Sequence, residues 1–247
     1  MKHLKWQILF GVSLISLSAL VYLVQIEIFK TPRDTFFYIF QDLAFVPISV
    51  LMVTLIIDQV LRIREKRSLL KKMNMVIGAF FSEVGTNLLK LFADFNLHYT
   101  IMRATLVIND KWSEQDFSQV RKRLKDFDYK IDSKSGDLET LKRFLTEKRI
   151  FLLGLLENPN LLEHETFTDL LWAVFHLTEE LNSRSDIKGL PDTDYKHLSG
   201  DIKRAYVLLI SEWLSYMKHL KVDYPYLFSL ALRTNPFDPD ASPEIHY

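Results

Sequence analysis

The stretch WQILFGVSLISLSALVYLVQI, residues 6–26, runs 21 residues without a charge, and TFFYIFQDLAFVPISVLMVTLII, residues 35–57, runs 23 residues with one, Asp42. At about 1.5 Å per residue a helix of either length reaches roughly 30 Å, the thickness of a bilayer's hydrocarbon core. The connection between them holds Thr31-Pro32 and is too short for a domain. Pro47 inside the second run is tolerable in lipid, where neighbouring groups take up the freed carbonyl. The reading is a transmembrane hairpin over residues 1–57, with helices at about 6–28 and 35–57. Two competitors fit less well. Ser16-Leu17-Ser18 would serve as a signal-peptide cleavage site, but the apolar run continues through Ala19 to Val24 with no polar region before it. A pair of buried helices in a soluble protein would not need runs this long and this poor in charge.

The distribution of charge sets the orientation. The chain's 31 basic and 31 acidic side chains cancel, yet residues 1–72 hold ten Lys/Arg against five Asp/Glu. Lys2 and Lys5 precede the first run. Arg62, Arg64, Lys66, Arg67, Lys71 and Lys72 follow the second, opposed nearby by Glu65. Basic residues near helix ends stay on the cytoplasmic side. The expected location is therefore the cell inner (plasma) membrane, with two spans and both termini cytoplasmic. The same six basic residues are the expected contact for anionic lipid headgroups, at about 1 kcal/mol each near the surface; a plain topology signal would use them equally well.

Beyond the second run the period stays helical. Residues 58–92 read as a basic juxtamembrane helix continuing the span, with a bend near Gly78 or Gly85; a shallow interfacial helix over 73–81 is the fallback. Residues 93–234 read as a cytoplasmic helical bundle. Ser113 with Asp116 forms a capping-box signal, followed by a seam of Phe117, Val120, Leu124, Phe127 and Ile131. Gly136-Asp137 opens another helix, and Asn158-Pro159 closes it. A further helix covers about 161–182. Residues 183–193 form a surface connection, and a long helix over about 194–221 carries the stripe Ile202, Tyr206, Leu209, Trp213, Met217 and Leu220. A short helix follows Tyr224-Pro225. The tail, 235–247, has three prolines and no period, and is expected to be extended or disordered. Trp112, Trp172 and Trp213 are expected in the core. The fold class is all-α: a transmembrane helical hairpin followed by an antiparallel bundle of five or six helices. Only 7 Gly and 8 Pro in 247 residues agree with that.

Composition excludes much chemistry. With no cysteine there is no disulfide, thiolate metal site or cysteine nucleophile. No Walker-type or dinucleotide glycine motif occurs, no H-E-x-x-H, and no G-x-S-x-G. Zero net charge gives no reason to expect nucleic acid. No catalytic residue and no cofactor are assigned.

Asp42 is the polar residue inside the second run, and a carboxylate there is costly unless paired or hydrated. In an antiparallel hairpin Tyr22 and Gln25 reach its depth. The facing stripes are Gly11, Ile15, Ser18, Tyr22 and Gln25 on one helix, and Asp42, Phe45, Ser49, Met52 and Ile56 on the other. His176-x-x-Glu179 and Asp194-x-x-His197 each put two ligand types on one helical face, with His98, His164 and Glu83 as further donors. Di-iron bundles use a Glu-x-x-His pair on each of two helices, but one pair here is reversed and the other has Asp for Glu. Chance supplies such pairs easily, so no metal is assigned.

The layout, with Asp128-Tyr129 through Asp132 and the run from Tyr224-Pro225-Tyr226 through Arg233 to Phe237, resembles an uncharacterised family of prokaryotic two-helix membrane proteins with a helical cytoplasmic domain. The resemblance implies the fold and no activity. The function expected is a non-enzymatic, membrane-anchored interaction or membrane-organising module. Its partners would be the lipid bilayer and a protein or second copy of the chain. The alternatives are an oligomeric channel-like assembly using Asp42, and a metal-binding enzyme in the bundle.

Overall fold

Helix-forming sequence dominates the structure, a computed structural model that describes residues 2–30, 32–161 and 164–244. Among them are nine α-helices and no β-strand, with one isolated antiparallel bridge between Asn96 and Ile131. The helices are α1 (Lys2–Phe29), α2 (Pro32–Phe80), α3 (Thr86–Ala93), α4 (Tyr99–Arg103), α5 (Glu114–Lys125), α6 (Leu138–Leu156), α7 (Glu165–Asn182), α8 (Asp192–Asp223) and α9 (Pro225–Arg233). Chain contacts divide the protein into two units, Met1–Lys66 and Arg67–Tyr247, with the division falling inside α2.

The first unit is two helices joined through Lys30, which takes a left-handed φ of 51°. Most of its protected described side chains lie near that turn, Tyr22, Gln25 and Ile26 on α1 and Thr35 and Ile39 on α2; Ser49, on the expected facing stripe, is half-buried further along. Phe45, Met52 and Ile56, expected on the facing stripe, are exposed. These bulky side chains do not let two backbones approach as small residues would. The most apolar 18 residues within Arg33–Lys66 have a mean hydropathy of 2.1, and none of them is buried.

The second unit has a core. Among the described residues two helical segments are long and apolar enough to cross a membrane, and the second, Lys72–Ala93, is 44% buried over its most apolar part. Met73, Ile77, Phe80 and Phe81 lie in this core, which replaces the interfacial-helix fallback with an ordinary packed helix. Regular α-helix gives way to a π turn at Phe81–Gly85. There the Thr86 amide and hydroxyl both donate to the Phe81 carbonyl, the hydroxyl at 2.8 Å. Gly85 is required by space: a Cβ would stand 2.5 Å from the Phe81 ring and 2.9 Å from that of Phe80.

α8 is the organising helix, packing against α3, α5, α7 and α9. Its whole expected stripe, Ile202, Tyr206, Leu209, Trp213, Met217 and Leu220, is buried. Phe80 meets Phe167 edge-on at 5.3 Å, and Phe92 meets Tyr206 at 5.6 Å. Trp172 departs from expectation: it is 57% exposed, because α7 turns Leu170, Leu171 and Val174 inward instead.

Polar side chains start the helices. Ser113 Oγ accepts from the Asp116 amide at 3.3 Å, and Asp116 returns the bond by accepting from the Ser113 amide at 2.6 Å. Asp137 Oδ1 accepts from the Thr140 amide at 3.0 Å. α7 starts later than expected, at Glu165, after a 3-10 turn over Pro159–Leu161; residues 162 and 163 lie outside the described set. The described part of the tail has no helix or strand, but its start is packed. Asn235 Nδ2 donates to the Leu106 carbonyl at 3.0 Å, and Phe237 is 1% exposed with its ring 4.9 Å from Trp213. A single aromatic with a socket holds a proline-rich segment that has no period of its own.

Two outcomes follow for the chain held in mild detergent and melted by circular dichroism. Phe237→Ala lowers stability by about 3–5 kcal/mol, as a buried aromatic truncation does. Ser113→Ala removes a helix cap and costs about 1 kcal/mol. The Ser113 hydroxyl, and then its amide, hold the Asp116 carboxyl below the usual carboxylate range. A depressed folded value means the contribution is present above about pH 4 and is lost as pH falls below it. The difference between wild type and Ser113→Ala therefore narrows in acid.

Candidate functional site

Polar chemistry gathers at three places. In the first unit, the Tyr22 hydroxyl donates to Asp42 Oδ2 at 2.9 Å. Tyr22 is half-buried and Asp42 exposed. Of the two partners the hairpin offered, Tyr22 takes Asp42, while Gln25 lies half-buried one turn further along α1. Arg62 pairs with Asp58 one turn before it on α2. Arg64, Lys66 and Lys72 are exposed; the side chains of Arg67 and Lys71 lie outside the described residues.

The second place is the seam between α7 and α8. His176 lies six residues before the end of α7 and His197 five after the start of α8, so an antiparallel pair sets them at one depth. Each is followed four residues later by a carboxylate, Glu180 and Asp201, on the same helical face. His197 Nε2 lies 3.3 Å from Asp201 Oδ2 and 3.6 Å from Glu180 Oε2. His176 Nε2 lies 3.7 Å from Asp201 Oδ2 and 3.8 Å from Glu180 Oε1. Ligand atoms of His176, His197 and Asp201 fall within 4.8 Å of one another. The imidazoles are about half-exposed, at 47% and 52%, while the Asp201 side chain is 3% exposed.

Two arginines frame this cluster. Arg204 donates to Asp201 Oδ1 at 3.1 Å, and Oδ2 is left buried with no hydrogen bond. Arg184 donates to Glu180 Oε2 at 2.8 Å and grips Asp194 with two bonds of 2.6 and 2.8 Å. The Arg184 hydrogen bonds hold both carboxyls below the usual range, and the Asp194 bonds in particular push Arg184 upward.

Of the four ligand candidates read from the sequence, the fold brings together His176 and His197. Glu179 turns away to Arg149, 2.7 Å distant, and Asp194 is taken by Arg184. The others are spent elsewhere: His98 Nδ1 on the Asp128 carbonyl at 3.0 Å, His164 Nδ1 as the cap of α7, and Glu83 on Lys148 at 3.0 Å. Glu180 and Asp201 were missed because the spacing sought was three residues. The spacing of four was there to be read.

The third place is an open groove of about 800 Å³ beside the π turn, walled by Met75, Gly78, Phe81, Tyr216, Leu227 and Ala231. Phe81 and Tyr216 stack in its wall at 4.9 Å. At its rim His219 Nδ1 lies 2.8 Å from Asp223 and 3.2 Å from Asn74.

Comparison with known proteins agrees with the two-unit division. A family model described as the MJ1433 N-terminal helical domain matches residues 1–61, and one described as the C-terminal helical domain of Uncharacterized protein MJ1433 matches residues 69–233. The protein of that name from Methanocaldococcus jannaschii is 46% identical over 238 residues, covering 96% of each chain. No solved structure matches. Two helical domains in the same order, across nearly the whole length, place this chain in the MJ1433 family.

Proposed function

We propose that the chain is a membrane-anchored helical module whose N-terminal hairpin crosses the cell membrane twice and whose second unit works on the cytoplasmic side. One observation carries this reading. Between Phe36 and Ile63, eighteen large apolar side chains are each at least 46% exposed. Leaving one such side chain in water rather than burying it costs about 1.5–3 kcal/mol. Eighteen cost tens of kcal/mol, more than the 5–15 kcal/mol by which a domain is typically stable. Lipid removes that penalty. Lys72–Ala93 needs no lipid, since its apolar face is in the core.

Basic residues orient the hairpin. Arg62, Arg64, Lys66 and Lys72 on α2 support a cytoplasmic second unit and a contact with anionic headgroups. The Tyr22–Asp42 hydrogen bond joins the two helices of one hairpin. It accounts for a carboxylate at that depth without an oligomeric conduit, which favours the anchor over the channel. With no glycine-rich phosphate cradle and no nucleophile motif in the sequence, the second unit is an interaction module for a protein partner or a second copy.

The absence of native cysteine makes a clean topology test. On intact cells a membrane-impermeant thiol reagent should label Arg33→Cys, in the short connection, and should label Lys188→Cys only after permeabilisation. The reverse pattern, or release of the protein by alkaline carbonate, would end the anchor reading. Tyr22→Phe should lower thermal stability in detergent by about 0.6 kcal/mol, the average for a hydrogen bond between membrane helices. A change in stability no larger than experimental scatter would remove Tyr22 as the partner that stabilises Asp42.

A further inference from the structure

We propose that His176, His197 and Asp201 form a binding site for one divalent first-row transition-metal ion, with Zn²⁺ the best fit. The three side chains stand at distances that leave a place for an ion between them. Asp201 Oδ2 stands 3.3 and 3.7 Å from the two imidazole Nε2 atoms. Nitrogen-to-oxygen hydrogen bonds run 2.7–3.2 Å, and neither imidazole makes one to this oxygen. Ligands around a tetrahedral zinc, with bonds of about 2.0–2.1 Å, sit about 3.4 Å apart. The two separations from Asp201 match that, and all three ligand atoms lie within 4.8 Å of one another.

The second observation is the carboxylate itself. Asp201 is 2% exposed, Arg204 occupies its Oδ1, and its Oδ2 is aimed at the histidines without a partner. Arg204 thereby acts as the outer group that fixes a ligating carboxylate. Glu180, held by Arg184, lies 3.6 and 3.8 Å from the two imidazole Nε2 atoms and stands next to the fourth position, where a water would complete the tetrahedron. Three carboxylates, Glu180, Asp194 and Asp201, against Arg184 and Arg204 leave one net negative charge beside the two imidazoles. Two nitrogens and one oxygen suit zinc, cobalt, nickel or iron better than magnesium or calcium, which prefer oxygen alone. Both imidazoles are about half-exposed, so an ion has an entry path.

The test is titration of the full-length chain in mild detergent with Zn²⁺ against a chromophoric chelator, and separately with Co²⁺ read by visible absorption. One ion per chain is expected, with the intense bands of four-coordinate Co²⁺. His176→Gln and His197→Gln, both at partly exposed positions, should weaken the Zn²⁺ constant by about 100-fold or more while circular dichroism stays unchanged. Glu179→Gln, one residue from the site, should bind like wild type. Failure to take up Zn²⁺ at micromolar concentration would overturn the proposal and leave an ion-pair cluster. So would equal uptake by wild type and both histidine variants, which would mark adventitious surface binding.

Discussion

Eighteen large apolar side chains from Phe36 to Ile63 are each at least 46% exposed, and the rest of the architecture answers to that. A chain in water would fold back to cover such a surface. This one keeps its first unit to two helices and builds its core entirely from residues after Arg67. The same helix, α2, carries both kinds of surface: uncovered and apolar before Lys66, then buried at Met73, Ile77 and Phe80. The exposed basic residues Arg64, Lys66 and Lys72 stand where one kind gives way to the other.

Within the second unit α8 plays the corresponding part. Its 32 residues present a continuous buried face from Leu198 to Leu220, and the neighbouring helices are arranged on it. The face has an edge. Leu198, Ile202 and Ala205 point inward, and at their margin His197 and Asp201 meet α7. Because α7 and α8 are joined by the short link from Ser183 to Pro191, the depth of His197 is tied to that of His176. The geometry of the cluster is thus a consequence of two helices and a turn, with no mobile loop supplying a ligand.

The helices were legible in the sequence wherever period and caps agreed. The α8 stripe, the Ser113–Asp116 box and the Asp137 cap are all written in spacing and residue type, and the structure has them. What escaped was written in space. Nothing in FSEVG announces a π turn; it follows from two phenylalanines packing where Gly85 leaves room. Phe237 in a proline-rich tail has no period, yet one aromatic against Trp213 suffices to anchor it. Trp172 shows the converse, since a large aromatic at helical spacing still ends on the outside when smaller neighbours fill the core. The histidines were found and their carboxylates were not, because four-residue and three-residue partners are equally near on a bare helix. In the folded chain Arg149 draws off Glu179, and Arg184 grips Asp194 with two bonds while also holding Glu180.

Places where a sequence breaks its own local rule are informative when folding gains nothing from the breach. Asp201 is such a place. It sits beside Ile202 and Ala205 on a helix whose buried face is otherwise nearly all apolar. A buried carboxylate oxygen without a partner costs about 1–3 kcal/mol or more, and an apolar residue at 201 would avoid that. Arg204 offsets part of the cost through Oδ1 but leaves Oδ2 as it was. Glu212, also buried on α8, has no imidazole pair converging on it among the described residues. The difference lies in what surrounds the oxygen: at 201 two imidazole nitrogens approach from two helices and neither hydrogen-bonds to it. An isolated buried acid would be a defect of packing. An acid with two imidazoles converging on it offers three ligand atoms that could hold a metal ion.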